Sequence, residues 1–115
     1  MEKTSTAPAA SARAAARATR TRIGDLVYDV QHQALRHGER ASSLTLSESK
    51  IVAYLFRNAS RPVAAKELLR NALGSNARQK TTIVERHVCD IRRKLAATGA
   101  KTAIRTIRYR GYAVG

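Results

Sequence analysis

The side chains best suited to chemistry in this sequence are arginines, not nucleophiles or metal ligands. Arg86 and Arg93 lie within residues 81–95, TTIVERHVCDIRRKL, and Arg105, Arg108 and Arg110 crowd residues 104–114, IRTIRYRGYAV. A guanidinium is a permanent cation with a planar fork of donors, suited to phosphate oxygens and to the O6/N7 edge of guanine. No acid pair, nucleophile–base arrangement, phosphate-cradling glycine loop or metal cluster accompanies them, so the sequence predicts binding and not an enzyme. Cys89 is the single cysteine, which excludes an internal disulfide. With three scattered histidines it offers no zinc spacing, and no cofactor is called for.

The elements that must carry these arginines follow from periodicity. Val84, Val88, Ile91 and Leu95 fall at i, i+4, i+7 and i+11, one narrow apolar stripe at about 100° per residue. The spacing predicts a helix over 81–95 with that stripe buried. Thr82, Arg86, Cys89 and Arg93 lie nearly opposite it, with Asp90 at one edge and Glu85 and Arg92 toward the other. Thr82 followed by Glu85 reads as a capping box that starts the helix near residue 82. Asp90 reads as a partner of Arg86 or Arg93 that holds their rotamers, the alternative being an acceptor for a cytosine amino group. His87, between stripe and outer face, reads equally as a structural ring or a phosphate donor. Cys89 reads as an inert small residue. Thr98-Gly99 closes the helix. Ile104, Thr106 and Arg108 then alternate with Arg105 and Ile107, Tyr109-Arg110-Gly111 turns, and Tyr112 and Val114 return the strand. Tyr109 either stacks on a sugar or fills the base of this hairpin. A helix with a charged outer face beside a basic hairpin suits a DNA groove.

Upstream, residues 1–22 are Ala, Thr, Ser and Arg with no large apolar side chain after Met1, and read as a flexible arm. Arg13, Arg17 and Arg20 would share one face if the arm coiled, and would then lie along phosphates. Ile23 to Val30, Gln33 to His37 and a third segment at Leu44 and Leu46 read as a small antiparallel sheet, with Gly38 to Ala41 as a turn. Thr45-Leu46-Ser47-Glu48 is a capping box for a helix of about three turns carrying Ile51, Val52, Leu55 and Phe56. Ala64 to Leu73 reads as a second helix with Gly74 as its stop. The order is sheet, three helices, hairpin: an α+β domain over 23–115 behind the arm.

The formal net charge of +14 in 115 residues points to a phosphate-bearing partner. The excess is uneven: +4 over 1–22, +2 over 23–77 and +8 over 78–115. No apolar run approaches the ~20 residues that span a bilayer, so no membrane is implied and a cytoplasmic, nucleoid-associated location is expected.

The segments LTLSE (44–48), PVAAKELL (62–69), VERHVCDIRRKL (84–95) and IRTIRYRGYAV (104–114) resemble, in order and spacing, the winged helix-turn-helix DNA-binding domain of the OmpR/PhoB response-regulator family. The resemblance covers about residues 23–114. It implies a four-stranded N-terminal sheet, three helices and a C-terminal hairpin wing. The third helix would enter the major groove of double-stranded DNA and the wing the minor groove. By position, Thr82, Arg86 and Asp90 are implied to face bases, His87 and Arg93 the backbone, and Arg108 is the wing arginine. The loop before the third helix is implied to touch RNA polymerase, and relatives dimerise on tandem half-sites. Asp90 and Thr82 stand where relatives often carry arginine, Leu73 where tryptophan is common, and the 74–80 loop is short and basic. Family members also carry a receiver domain; 22 residues cannot hold one, so phosphorelay control through this chain is expected to be absent.

The function read from all this is a bacterial, sequence-specific, double-stranded-DNA-binding transcriptional regulator. Phosphate contacts from Arg92, Arg93, Lys94, Arg105 and Arg110 supply affinity, helix 81–95 reads the major groove and Arg108 the minor. Two other readings stand beside it: a nucleoid-type DNA-coating protein of low specificity, and a winged-helix adaptor that binds a protein through the same face.

Overall fold

The computed structural model describes residues 20–74 and 80–115. Its first layer is an antiparallel sheet in sequence order: β1 Arg20–Ile23, β2 Leu26–Asp29, β3 Ala34–His37 and β4 Arg40–Ser43. Two-residue turns at Gly24-Asp25 and Gly38-Glu39 bring consecutive strands together, and each puts a glycine at positive φ, +59° and +61°. Strand alternation turns Leu26, Tyr28 and Leu35 inward and Arg20, Arg22, Val27, Asp29 and Arg36 to the opposite face.

Three sequence expectations are corrected here. The run from Ile23 to Val30 is not one strand, because Gly24-Asp25 folds it into two. The third segment is Arg40–Ser43, not the stretch around Leu44 and Leu46. Leu44 is buried just beyond it, and Leu46 is the first residue of α1, 58% exposed. The cap decides this: Thr45 Oγ1 accepts from Glu48 N at 3.2 Å while Glu48 Oε1 accepts from Thr45 N at 2.9 Å, which starts the helical phase at Leu46. Finally, β1 begins at Arg20, where backbone pairing to Asp29 is already made. A boundary between 22 and 23 therefore falls inside a strand, and Arg20 belongs to the sheet. Arg13 and Arg17 lie outside the described residues.

Helix α1, Leu46–Arg57, buries Ile51, Val52, Leu55 and Phe56 and ends on Asn58. The second helix, α2, starts as Ala65–Glu67 without a side-chain cap and widens into a π turn, Leu68–Ala72, closed by Leu73 N donating to Leu68 O at 3.0 Å. Glu67 ties α2 to α1, accepting from Tyr54 Oη and from Arg61, both at 2.5 Å. The Arg61 bond first, then that of Tyr54, holds its carboxyl down at about 2.

Helix α3 runs Thr82–Thr98 and buries Val84, Val88, Ile91, Leu95 and Thr98, the predicted stripe carried one step further. Gly99, left-handed at φ +79°, stops it. The Thr82–Glu85 capping box does not form. Thr81 holds the cap position with a backbone already helical (φ −63°, ψ −14°), so Thr82 lies inside the first turn with its hydroxyl on the surface.

The hairpin is β5 Ile104–Ile107 and β6 Gly111–Val114. β6 also bridges Val63, between α1 and α2: Val63 N donates to Tyr112 O at 2.7 Å and Tyr112 N to Val63 O at 2.8 Å. Gly111 permits that approach, since a Cβ there would lie 2.1 Å from Val63 O. One core, including Leu26, Leu35, Ile51, Leu55, Leu68 and Ile91, joins sheet, helices and hairpin. No described helix is long and apolar enough to cross a membrane.

A second clasp joins the ends of the fold. Asp25 accepts from Lys101 N at 2.7 Å and Thr102 N at 2.9 Å, and Thr102 Oγ1 donates to Ile23 O at 3.1 Å. Gly24 suits this clasp, because its φ of +59° strains other residues and a Cβ, 2.4 Å from Thr102 Oγ1, would displace that hydroxyl. The two backbone donors, Lys101 first, keep the Asp25 carboxyl well below the usual carboxylate range.

Candidate nucleic-acid interface

The stripe of α3 faces the core, and Thr82, Glu85, Arg86, Cys89 and Arg93 are exposed on the remainder of its surface. Arg93 pairs with Asp90, one turn back, while its own side chain stays 75% exposed. An exposed pair of this kind adds little stability, but it restrains where the guanidinium points. Asp90 is thus the rotamer-holding partner of Arg93, and Arg86 has no acidic partner among the described residues. His87 is half-buried at the edge of the stripe.

Two of the residues expected to contact phosphate, Arg92 and Lys94, have partners within the fold. Arg92 reaches the hairpin: its Nε donates to Ile104 O at 3.0 Å, Nη2 to Thr106 Oγ1 at 2.6 Å, and the guanidinium lies 5.8 Å from the centre of the Tyr112 ring. It fastens wing to helix. Burial first, then the charge of Glu85, pushes the Tyr112 phenol up despite Arg92, so an uncharged ring sits in this joint. Lys94 points to the other side, its Nζ 2.5 Å from Glu48, whose side chain is 4% exposed. Burial raises the Glu48 carboxyl, but the Lys94 and Thr45 hydrogen bonds outweigh it and keep it ionised. Lys94 therefore locks α3 to the cap of α1. The sheet holds the same end of α3: Ser42 Oγ donates to Lys94 O at 2.9 Å, and the His37 ring is 3.1 Å from Thr98 O.

The hairpin separates the other three arginines. Thr106 and Tyr112, in register, face α3. Arg105 is paired with Ala113 on the opposite face and is not brought to the α3 side. Arg108 and Arg110 are exposed at the tip. Between them Tyr109 is 92% exposed at φ +65°, with the Arg108 guanidinium 5.0 Å from its ring centre. A left-handed, fully displayed tyrosine fills nothing in the wing's base, which settles its orientation outward. Arg86, Arg93, Arg108 and Arg110 remain the displayed cations, with Tyr109 added to them. The sequence signal for Tyr109 was its place in a turn flanked by arginines. Glycine would be the ordinary bearer of that φ, so the display was not legible. Among the described residues no group of side chains could hold a metal ion.

Comparison with known proteins agrees with this architecture. Residues 38–114 match the family model "Transcriptional regulatory protein, C terminal". The two-component response regulator PhoP of Pseudomonas aeruginosa is 32% identical over 89 residues, which cover 77% of this chain and 40% of PhoP. The chain thus spans less than half the length of that relative. Among solved structures, the DNA-binding domain of the response regulator AdeR, in complex with an intercistronic region, superposes with a TM-score of 0.69 at 21% identity, covering 82% of this chain and 97% of that one. The RstA DNA-binding domain of Klebsiella pneumoniae, in complex with the RstA box, gives 0.69 at 21% identity over 84% and 96%. At such identity these two speak for the fold. Its matched residues and its winged helix together place the chain in the transcriptional regulatory protein C-terminal family, the OmpR/PhoB-type DNA-binding domains.

Proposed function

We propose that this chain is a sequence-specific, double-stranded-DNA-binding transcriptional regulator that lays α3 in the major groove and the 108–110 tip on the adjacent minor groove. The observation that carries this is the joint made by Arg92, which sets a basic, tyrosine-tipped hairpin rigidly beside a helix whose exposed face displays Arg86 and Arg93. Arg86 and Thr82 read base edges, Arg93 is aimed at the backbone by Asp90, and Arg108 and Arg110 reach phosphates and the minor groove. Arg92 and Lys94 act by holding wing and helix, not by touching phosphate. RNA polymerase and a second copy on tandem half-sites are the further partners of this reading. Most of the loop expected to meet the polymerase, residues 75–79, lies outside the described residues. Selection of duplexes from a random pool tests the function: an enriched motif with an Arg86-dependent position is expected. Enrichment of no motif by the full chain would sink sequence-specific reading in favour of general DNA coating.

A further inference from the structure

The outer face of the β1–β4 sheet carries an acid-anchored basic cluster that the function above does not use. Asp29 is 1% exposed although it stands on the solvent-side face, because His32, Arg36 and Arg20 close over it. The His32 Nδ1 lies 2.8 Å from Asp29 Oδ2, Arg36 Nε donates to the same oxygen at 3.3 Å, and Arg20 Nε is 3.9 Å away. Burial raises the Asp29 carboxyl, yet the His32 ring and backbone bonds, the His32 charge and Arg36 together bring it below its ordinary value. The carboxylate is therefore a fixed anion.

Each of the three side chains is tied through its inner nitrogen. The Nη pairs of Arg20 and Arg36 and the Nε2 of His32 have no partner among the described residues, and the three side chains remain 58%, 39% and 57% exposed. Arg22 joins them on the same face, in register with Val27, which is in turn opposite Arg36. Neighbouring strands lie ~4.8 Å apart, so the arginines form one patch on the order of 10 Å across. One buried acid has preorganised outward donors in excess of its own charge, an arrangement that suits a phosphate oxyanion.

The inner side of this sheet lies against α3 through β3 and β4, so its outer face and the reading face of α3 look away from one another. A straight duplex seated on α3 does not reach it. We propose that this sheet face is a second phosphate-binding surface, occupied by the backbone of a DNA segment other than the one α3 holds. The chain would then bridge two duplexes. The proposal rests on the DNA-binding reading for the first duplex only.

The test uses the full chain, random-sequence duplex on beads and a second, fluorescent random duplex in solution. Gel retardation of single duplex by R20Q/R22Q/R36Q, which lacks the sheet cluster, reports the α3 face, and capture of the fluorescent duplex by the wild-type chain reports the sheet face, so the two readings fail separately. Wild-type protein is expected to capture the second duplex, and R20Q/R22Q/R36Q to lose capture while retaining single-duplex binding. R22Q alone, whose side chain is not tied to Asp29, is expected to lower the salt slope of capture by about 1. No capture by wild type, or undiminished capture by the triple variant, would overturn the proposal. So would sedimentation showing a wild-type dimer that the triple variant abolishes, which would make the face a contact between copies. Poly-glutamate displacing the second duplex as well as DNA does would overturn it too, in favour of an acidic protein partner.

Discussion

Arg86 and Arg93 illustrate how one ion pair divides labour between like residues. Arg93 is steered by Asp90, whereas Arg86 is left to find its partner on the ligand. Arg86→Ala is accordingly expected to weaken the selected site by ~1–3 kcal/mol relative to random duplex, measured by competition binding. Equal losses on both duplexes would remove Arg86 from base reading. Cys89 supplies an independent check of placement, being exposed between these two arginines on the same face of α3. A maleimide should label it readily in the free protein and slowly when duplex is bound. Labelling at one rate in both states would place the DNA elsewhere. These outward positions were legible from the helical wheel alone, since a four-residue apolar stripe fixes its opposite side. The fates of Arg92 and Lys94 were not. Both are long cations flanking the reading face, and only the tertiary neighbours Thr106 and Glu48 decide that they turn sideways.

At the scale of elements, the junction of α3 and the wing makes the sharpest prediction. If Arg92 places the wing, Arg92→Gln and Arg108→Ala should be non-additive in a double-mutant cycle on DNA affinity, because each removes the same wing contact. Additive losses would mean that Arg92 touches phosphate itself. The caps test the scaffold: Thr45→Ala should cost about 1 kcal/mol in urea unfolding, through loss of the reciprocal box with Glu48. Gly111→Ala, which drives a Cβ into the Val63 carbonyl, should cost more. The box at Thr45 was readable because residue types and spacing sufficed for it. The same pattern at Thr82–Glu85 failed because capping needs an extended backbone at its first residue, and there the chain is already helical. Likewise β4 was misplaced by two leucines whose alternation looked strand-like, although the cap between them had already begun a helix.

At the scale of the whole molecule, four carboxylates among the described residues are held below their ordinary values: Asp25 by the backbone donors of Lys101 and Thr102, Asp29 and Glu48 by hydrogen bonds that overcome burial, and Glu67 by Arg61 and Tyr54. A depressed folded value means that the stabilisation is complete above the unfolded carboxylate range, near ~4, and is lost as pH falls through the folded values. For Glu67 that window extends down to about 2. Thermal melts should therefore be flat near neutrality and fall steeply through the acid range, and Glu67→Gln should blunt the fall. A melting temperature independent of pH down to the acid end would contradict these assignments. Asp25 and Glu48 also bind distant parts of the chain together, Glu67 joins the neighbouring helices α1 and α2, and Asp29 organises a single sheet face.

The Asp25 clasp bears on the order in which the protein can be made. A ribosome delivers the β1–β2 turn early, but the amides that Asp25 requires belong to Lys101 and Thr102, more than seventy residues later. The sheet can pair its strands as it emerges, yet it cannot be latched until α3 and the first residues beyond it have left the exit tunnel. Synthesis interrupted within α3 should therefore yield nascent chains whose N-terminal hairpins exchange amide hydrogens freely, and release of the last residues should protect them together.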